Sequence, residues 1–251
     1  MDIQRGSILK RISAALLDFI LVTILATGFS YLIGLISGYD NHLNKVQEKQ
    51  LYYEETYNVK FDADISQLSE EELAHYREVE EIINSDEEFS REYNILLNLT
   101  LIMITFSVLI ALIITDFVIP LFFKNGMTLG KKIFSLCLVK TNSVKIKPVQ
   151  LFVRTVLGKF AIELMIPIYI VTMFMFDTMG IIGTIIIIGL SLAQIILLFV
   201  TKNRTVIHDL LSMTICVDYT SQKIFDTDEE MVEYIKQEHA EEMAASKHIY
   251  N

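Results

Sequence analysis

Arg11 and Asp18 stand seven residues apart at the start of a run that is otherwise apolar from Ile12 to about Ser37. Seven helical residues make two turns, so the two side chains share one face, about 10 Å apart along the axis. An ionised carboxylate inside an apolar span costs several kcal/mol unless it is paired, so Asp18 should face other helices rather than lipid. Such a group can take up a proton or hold a cation, with Arg11 keeping the charge balance. It can equally be half of a salt bridge that fixes helix packing. Asp209 carries the same two readings. It follows His208 on a short apolar segment after Arg204, and a histidine titrates near neutrality. His208 could therefore pass a proton toward Asp209; alternatively Asp209 pairs with Arg11 or Arg204 and is structural. Asp116, inside another apolar run, is a further candidate. Glu163 lies one turn beyond Lys159, so an i,i+4 ion pair accounts for it without a function.

Helices that cross a bilayer would hold these groups, and each needs about 20 mostly apolar residues for a core about 30 Å thick. Four stretches have this character: Ile12 to about Ser37, about Ile95 to Phe123, about Phe160 to Phe176, and about Met179 to Val200. Asp18 and Asp116 are the only charges in the first two, Glu163 interrupts the third, and the fourth has none. Asp177, Thr178 and their neighbours would form a tight hairpin between the last two. The first run is about 25 residues long, against 7–15 for the apolar region of a signal peptide, so it is expected to remain as a span.

Lysines and arginines collect on one side of these spans. Arg5, Lys10 and Arg11 precede the first; eight more, from Lys124 to Lys159, lie between the second and third with no acidic residue among them; Lys202 and Arg204 follow the fourth. The positive-inside bias then puts both termini and the 124–159 loop in the cytoplasm, with 38–94 facing outward from the cytoplasmic membrane. The formal net charge of −10 is unevenly spread. Residues 38–94 carry 16 Asp/Glu against 5 Lys/Arg, and 218–251 carry 9 against 3, while the apolar body has 6 acidic and 13 basic residues. With 52% hydrophobic residues and two cysteines, this pattern excludes a disordered chain, a disulfide scaffold and a nucleic-acid binder. The fold class is therefore an all-α membrane protein with four transmembrane helices, whose first partner is the lipid bilayer.

The polar segments have their own punctuation. Ser69 with Glu72 and Ser85 with Glu88 read as capping boxes, and a further helix is expected from Asn41 to Tyr57. Leu68, Leu73, Tyr76, Val79, Ile82 and Ile83 recur at spacings of three and four, as in a small extracytoplasmic helical insertion. Asp62, Asp64 and Ser66 open like a calcium loop, but Gln67 and Leu73 stand where that loop needs Gly and Glu. In the tail, Thr227 and Glu230 start an acidic helix with a thin stripe of Met231, Tyr234, Ile235 and Met243, either a docking helix or a solvated one. Ser135–Thr141, Val144–Lys147 and Met213–Tyr219 alternate like short strands, giving a short cytoplasmic β element. Cys137 and Cys216 read as reduced, buried, apolar residues. The organisation expected is 1–37, N-terminus and first span; 38–94, acidic loop; 95–123, second span; 124–159, basic loop; 160–200, third and fourth spans; 201–218, a closing segment; and 219–251, the tail helix.

Four segments occur in a fixed order around these spans: Lys10 through Asp18, Asn125-Gly126-Met127-Thr128-Leu129-Gly130-Lys131-Lys132, Gln150 through Arg154, and Asn203-Arg204-Thr205-Val206-Ile207-His208-Asp209. The set resembles the RDD family of polytopic membrane proteins, named for one arginine and two aspartates. The resemblance implies that Arg11, Asp18 and Asp209 are the naming trio. It also implies a membrane protein for which transport is commonly suggested and ion/proton antiport proposed in some members.

Gly126 and Gly130 have three residues between them where a phosphate loop needs four, and Lys132 replaces its Ser/Thr. Thr128 is better read as the cap of a short interfacial helix whose lysines meet lipid phosphates. A nucleophile elbow, an H-E-x-x-H and a G-x-G-D are missing from the sequence, so an enzyme is not expected, nor a cofactor or a metal. Gly34 with Gly38, and Gly180, Gly183 and Gly189, offer close-approach points for helices. The expected function is a small, oligomeric transporter or exchanger of ions or small solutes in which Asp18 titrates or binds a cation beside Arg11 and Asp209. The alternative is a non-catalytic accessory or regulatory protein that recruits a membrane-protein partner through its acidic loop and tail.

Overall fold

The structure is a computed structural model that describes residues 3–123, 125–175 and 180–249. The turn expected at Asp177 and Thr178 lies outside the described residues. Among the described residues, four helices are long and apolar enough to cross a membrane: Ile8–Ser37, Glu87–Phe123, Pro148–Met173 and Ile181–Val200. The first is α1. On it Leu16, Phe19, Ile20 and Ile24 are all exposed, the surface that lipid rather than water would cover. The second begins as α4 (Glu87–Leu112), passes through a π-helical segment, Ile113–Val118, and ends as α5 (Ile119–Phe123). The third starts earlier than the apolar run suggested. Pro148 opens α7 (Pro148–Phe152), a π-helical segment follows over Val153–Met165, and α8 (Ile166–Met175) completes it. The fourth is α9 (Gly180–Val200).

Contacts divide the chain into one unit of Met1–Leu25 with Val108–Asn251 and another of Ala26–Ser107. The first unit is organised on a two-stranded antiparallel sheet. In it β1 (Leu136–Lys140) pairs with β2 (Thr214–Asp218), Leu136 opposite Asp218 and Lys140 opposite Thr214. Alternation along the strands sends residues into two separate clusters. Leu136, Leu138 and Cys216 meet Ala14 and Leu151, whereas Cys137, Val139, Ile215 and Val217 meet Met127, with Ile3 and Ile224 packed against them. Both faces are covered, and both strands are buried along all but their last residue. Val144–Lys147 forms no third strand; single bridges tie Lys145 to Val139 and Val144 to Phe225. The tail helix α11 (Asp228–Ile249) is anchored at its start. Asp228 accepts from Lys140 and Asn142, and Asp226 pairs with Lys145. Glu230 N–H donates to Thr227 Oγ1, while the Glu230 carboxylate reaches back to the Asp226 N–H.

The second unit contains the end of α1, α2 (Tyr39–Tyr57), a 3₁₀ turn at Ile65–Gln67, α3 (Glu70–Ser85) and α4 as far as Ser107. Gly38, at φ 71, makes the left-handed turn between α1 and α2. Val46, Ile83, Phe89 and Leu96 form the core, with Tyr39, Leu43, Tyr53 and Phe61 packed against them. The Ser69–Glu72 capping box is present in both directions. The second expected box is not. Ser85 ends α3 with its hydroxyl on Ile82 O, and Asp86 caps α4 instead, Oδ1 accepting from the N–H groups of Glu88 and Phe89 at 2.9 and 3.1 Å. A carboxylate suits that end better than a hydroxyl because it also meets the positive end of the helix dipole. Its other oxygen accepts from Lys49 Nζ and Tyr53 Oη. The Lys49 hydrogen bond leads the effects that hold the Asp86 carboxyl down at about 2.

Candidate functional site

Asp18 points at the segment that follows the second membrane helix. Its Oδ2 accepts from Thr128 Oγ1 at 2.5 Å and its Oδ1 from the Gly130 N–H at 2.8 Å. Gly130 permits this approach, since a Cβ there would collide with the Ala14 carbonyl and come within 2.9 Å of Asp18 Oδ1. Thr128 caps α6 (Leu129–Ile133), as its position suggested, by accepting from the Lys131 N–H. Lys131 does not reach out to lipid. It is buried, with Nζ 3.2 Å from Thr128 Oγ1 and 3.7 Å from Asp18 Oδ2. Burial, reinforced by the charges of Lys159 and Arg154, lowers its ammonium to about 8.

Arg11 is not the partner of Asp18. One of its N–H groups donates to the Arg204 carbonyl and another to Asp209 Oδ2 at 3.2 Å. Arg204 therefore enters the site through its backbone, turned inward by a left-handed φ of 52. The other Asp209 oxygen, Oδ1, accepts from Arg154 Nε at 3.1 Å and Nη2 at 2.7 Å. Each carboxylate oxygen thus has its own guanidinium. Burial alone would raise the Asp209 carboxyl, but the guanidiniums of Arg154 and Arg11 outweigh it and hold the group well below the usual range.

Two further pairs complete the polar interior. Lys159 reaches across to Asp116 Oδ1, Thr115 donates to Asp116 Oδ2 at 3.0 Å, and Thr155 donates to the Asp116 carbonyl. Glu163 faces His208, whose Nδ1 is 2.8 Å from both carboxylate oxygens and whose backbone N–H donates to Oε1 at 3.1 Å. The expected Lys159–Glu163 pair is thus replaced by two pairs to other elements.

The winding of Val153–Met165 decides which side chains face α10. A π-helical turn takes roughly 4.4 residues rather than 3.6, so nine residues make about two full turns instead of two and a half. Arg154 and Glu163 consequently share a face that an α-helix would split, and α10 (Ile207–Ser212), carrying His208 and Asp209, lies against it. Gly158 leaves room for α10, because a Cβ there would stand 2.5 Å from His208 Cβ.

Of the residues expected to carry chemistry, Arg11, Arg204, His208 and Asp209 come together, with Asp18 and Asp116 each held by other partners. Arg154, Lys159, Lys131 and Thr128 were read as rim charges or a helix cap, yet they supply the counter-charges and donors. Their signal in the sequence is the presence of Lys159 and Glu163 in a helix that must also be apolar. Among the described residues, no cluster of three or more His, Cys, Asp or Glu is placed to hold a metal ion. The arrangement can bind, exchange or relay protons and small cations, and it can lock helices together through buried ion pairs.

Residues 5–213 match the RDD family over all four membrane helices and the whole of this network. The chain belongs to the RDD family. RDD proteins are membrane proteins, so this is an integral membrane protein, and its contact with the lipid bilayer follows. The arginine and two aspartates that the RDD resemblance points to are split here, with Arg11 on Asp209 and Asp18 on the Thr128–Lys131 segment. No match is found among curated proteins or among solved structures.

Proposed function

We propose that this RDD protein is a small transporter or exchanger of ions or small solutes, oligomeric in the cytoplasmic membrane, with Asp18 as the exchanging group. The observation that supports this most is the uneven neutralisation of three buried aspartates. Asp116 has a lysine in direct contact and Asp209 has two guanidiniums. Asp18 has two uncharged donors and an ammonium only at 3.7 Å. A buried carboxylate with no cation in direct contact keeps its attraction for an exchanging cation. The basic residues before the first span, between the second and third, and after the fourth support cytoplasmic termini. Transport, rather than catalysis, is the role such a site supports.

The test is flux in vesicles holding the purified full chain. Asp18→Asn removes the charge and retains one acceptor, for the Gly130 N–H, while replacing the oxygen that accepts from Thr128 with a donor; it is expected to abolish flux while the protein still elutes as a folded species. Absence of flux in the wild type rejects transport. A second role, recruitment of a partner, is supported by the core that Ala26–Ser107 builds for itself. Removing residues 41–90 is then expected to lose a co-purifying membrane protein; an unchanged set of partners rejects it.

A further inference from the structure

His208 and Glu163 form a buried titratable pair to which exchange at Asp18 gives no role. Their side chains are 13% and 17% exposed. Glu163 accepts both the backbone N–H and the ring Nδ1 of His208, and Gln194 from α9 bonds the same carboxylate. That arrangement assigns the ring proton of the neutral imidazole to Nδ1. Nε2 is left with its lone pair, 3.8 Å from Asp209 Oδ1.

We propose that His208 Nε2 is a proton-binding site, separate from Asp18, whose loading loosens the grip of Arg154 on Asp209; this rests on the exchange function proposed above. A proton from the aqueous phase adds to Nε2 and leaves from it, and no other bond forms or breaks. The new N–H⁺ lies opposite Oδ1, the oxygen that both Arg154 donors hold. Closing 3.8 Å to a charge-assisted hydrogen bond of about 2.8 Å draws His208 and Asp209 together and competes with those donors. Oδ2, on Arg11, is untouched, so Asp209 keeps one guanidinium through the change.

The groups facing the imidazole are Arg154 and Glu163 from the π-helical segment, Asp209 on its own helix, and Gln194 on α9, with Arg11 beyond Asp209. Burial and Arg154 hold the imidazole below its usual range, against the pull of Asp209 and Glu163. The site is therefore empty near neutrality and fills on acidification. Gly158 is part of it, because only a residue without a Cβ lets the His208 backbone come this close.

His208→Asn retains an N–H donor toward Glu163 and cannot bind the proton. In vesicles with the full chain, it is expected to lose about tenfold or more of the flux driven by a pH gradient, a larger fraction than it loses of cation–cation counterflow. Wild-type pH-driven flux in His208→Asn overturns the proposal and leaves exchange at Asp18 standing. Loss of both fluxes in Asp18→Asn alone supports the separation of the two sites. Should His208→Asn not fold, Glu163→Gln is expected to move the acid limb of the flux profile to lower pH, and an unmoved limb is the overturning result.

A second measurement needs no flux. Infrared difference spectra of the full chain between about pH 8 and pH 5 are expected to contain an imidazole band that shifts in Glu163→Gln and vanishes in His208→Asn. Its absence overturns the proposal whether or not the protein transports. Its presence in a protein without flux rejects exchange while sustaining the proton site.

Discussion

Arg154 carries more of the buried charge balance than any residue in the naming trio. It supplies both donors to Asp209 Oδ1, and its own side chain is 5% exposed. Removing one partner of a buried pair strands the other, at a cost of about 3–5 kcal/mol, whereas removing both is far milder. Arg154→Met is therefore expected to lower unfolding stability by about 3–5 kcal/mol, with Arg154→Met/Asp209→Asn recovering most of that in denaturant titrations of the detergent-solubilised chain. Arg154→Lys should recover little, since a single ammonium cannot span the positions of Nε and Nη2. An Arg154→Met protein as stable as wild type would mean that Arg11 alone satisfies Asp209. The naming trio was readable because an aspartate in an apolar run is conspicuous. Its partners were not, because Thr128 lies 110 positions from Asp18 and Arg154 lies 55 from Asp209.

Elements were legible where the signal is local. Run length fixed the existence of four spans, and Ser69 with Glu72 marked the start of α3. Where two candidates competed for one cap, the sequence pattern chose Ser85 and the fold used Asp86. Asp86 also makes the acidic unit pH-sensitive. Its folded-state carboxyl is held down at about 2, below the unfolded 3.8, so its contribution is complete above about pH 5 and is lost as pH falls toward 2. Asp86→Asn preserves the cap and removes the Lys49 pairing. Its far-UV signal should then lose less helix than wild type between about pH 4 and pH 2. An equal loss would assign the acid sensitivity elsewhere. The least legible element is Val153–Met165. Spacing alone paired Glu163 with Lys159, whereas the fold offers each a partner from another element, His208 and Asp116, and the wider turn brings Arg154 onto the face of Glu163. Gly158→Ala tests that packing: a methyl 2.5 Å from His208 Cβ must push α10 away, at an expected cost of about 1–3 kcal/mol in the same denaturant titration.

At the scale of the molecule, charge and core follow the same division. The acidic unit has its own apolar cluster, and the buried ion pairs of Asp18, Asp116, Asp209 and Glu163 all fall in the other unit. Deleting residues 41–90 should therefore leave the unfolding cost of Arg154→Met unchanged within about 0.5 kcal/mol, as for sites that share no partners. A smaller cost in the deletion would reveal coupling between the units. The two cysteines add a practical property. Cys137 is fully buried with its thiol pushed up to about 12, and Cys216 is 4% exposed and raised as well, so neither offers the thiolate that maleimides attack. The natural sequence is already a silent background for thiol labelling. One cysteine placed in 41–90 or in the tail, probed with a membrane-impermeant reagent on intact cells, would report which side of the bilayer each segment occupies without a cysteine-free variant being made first.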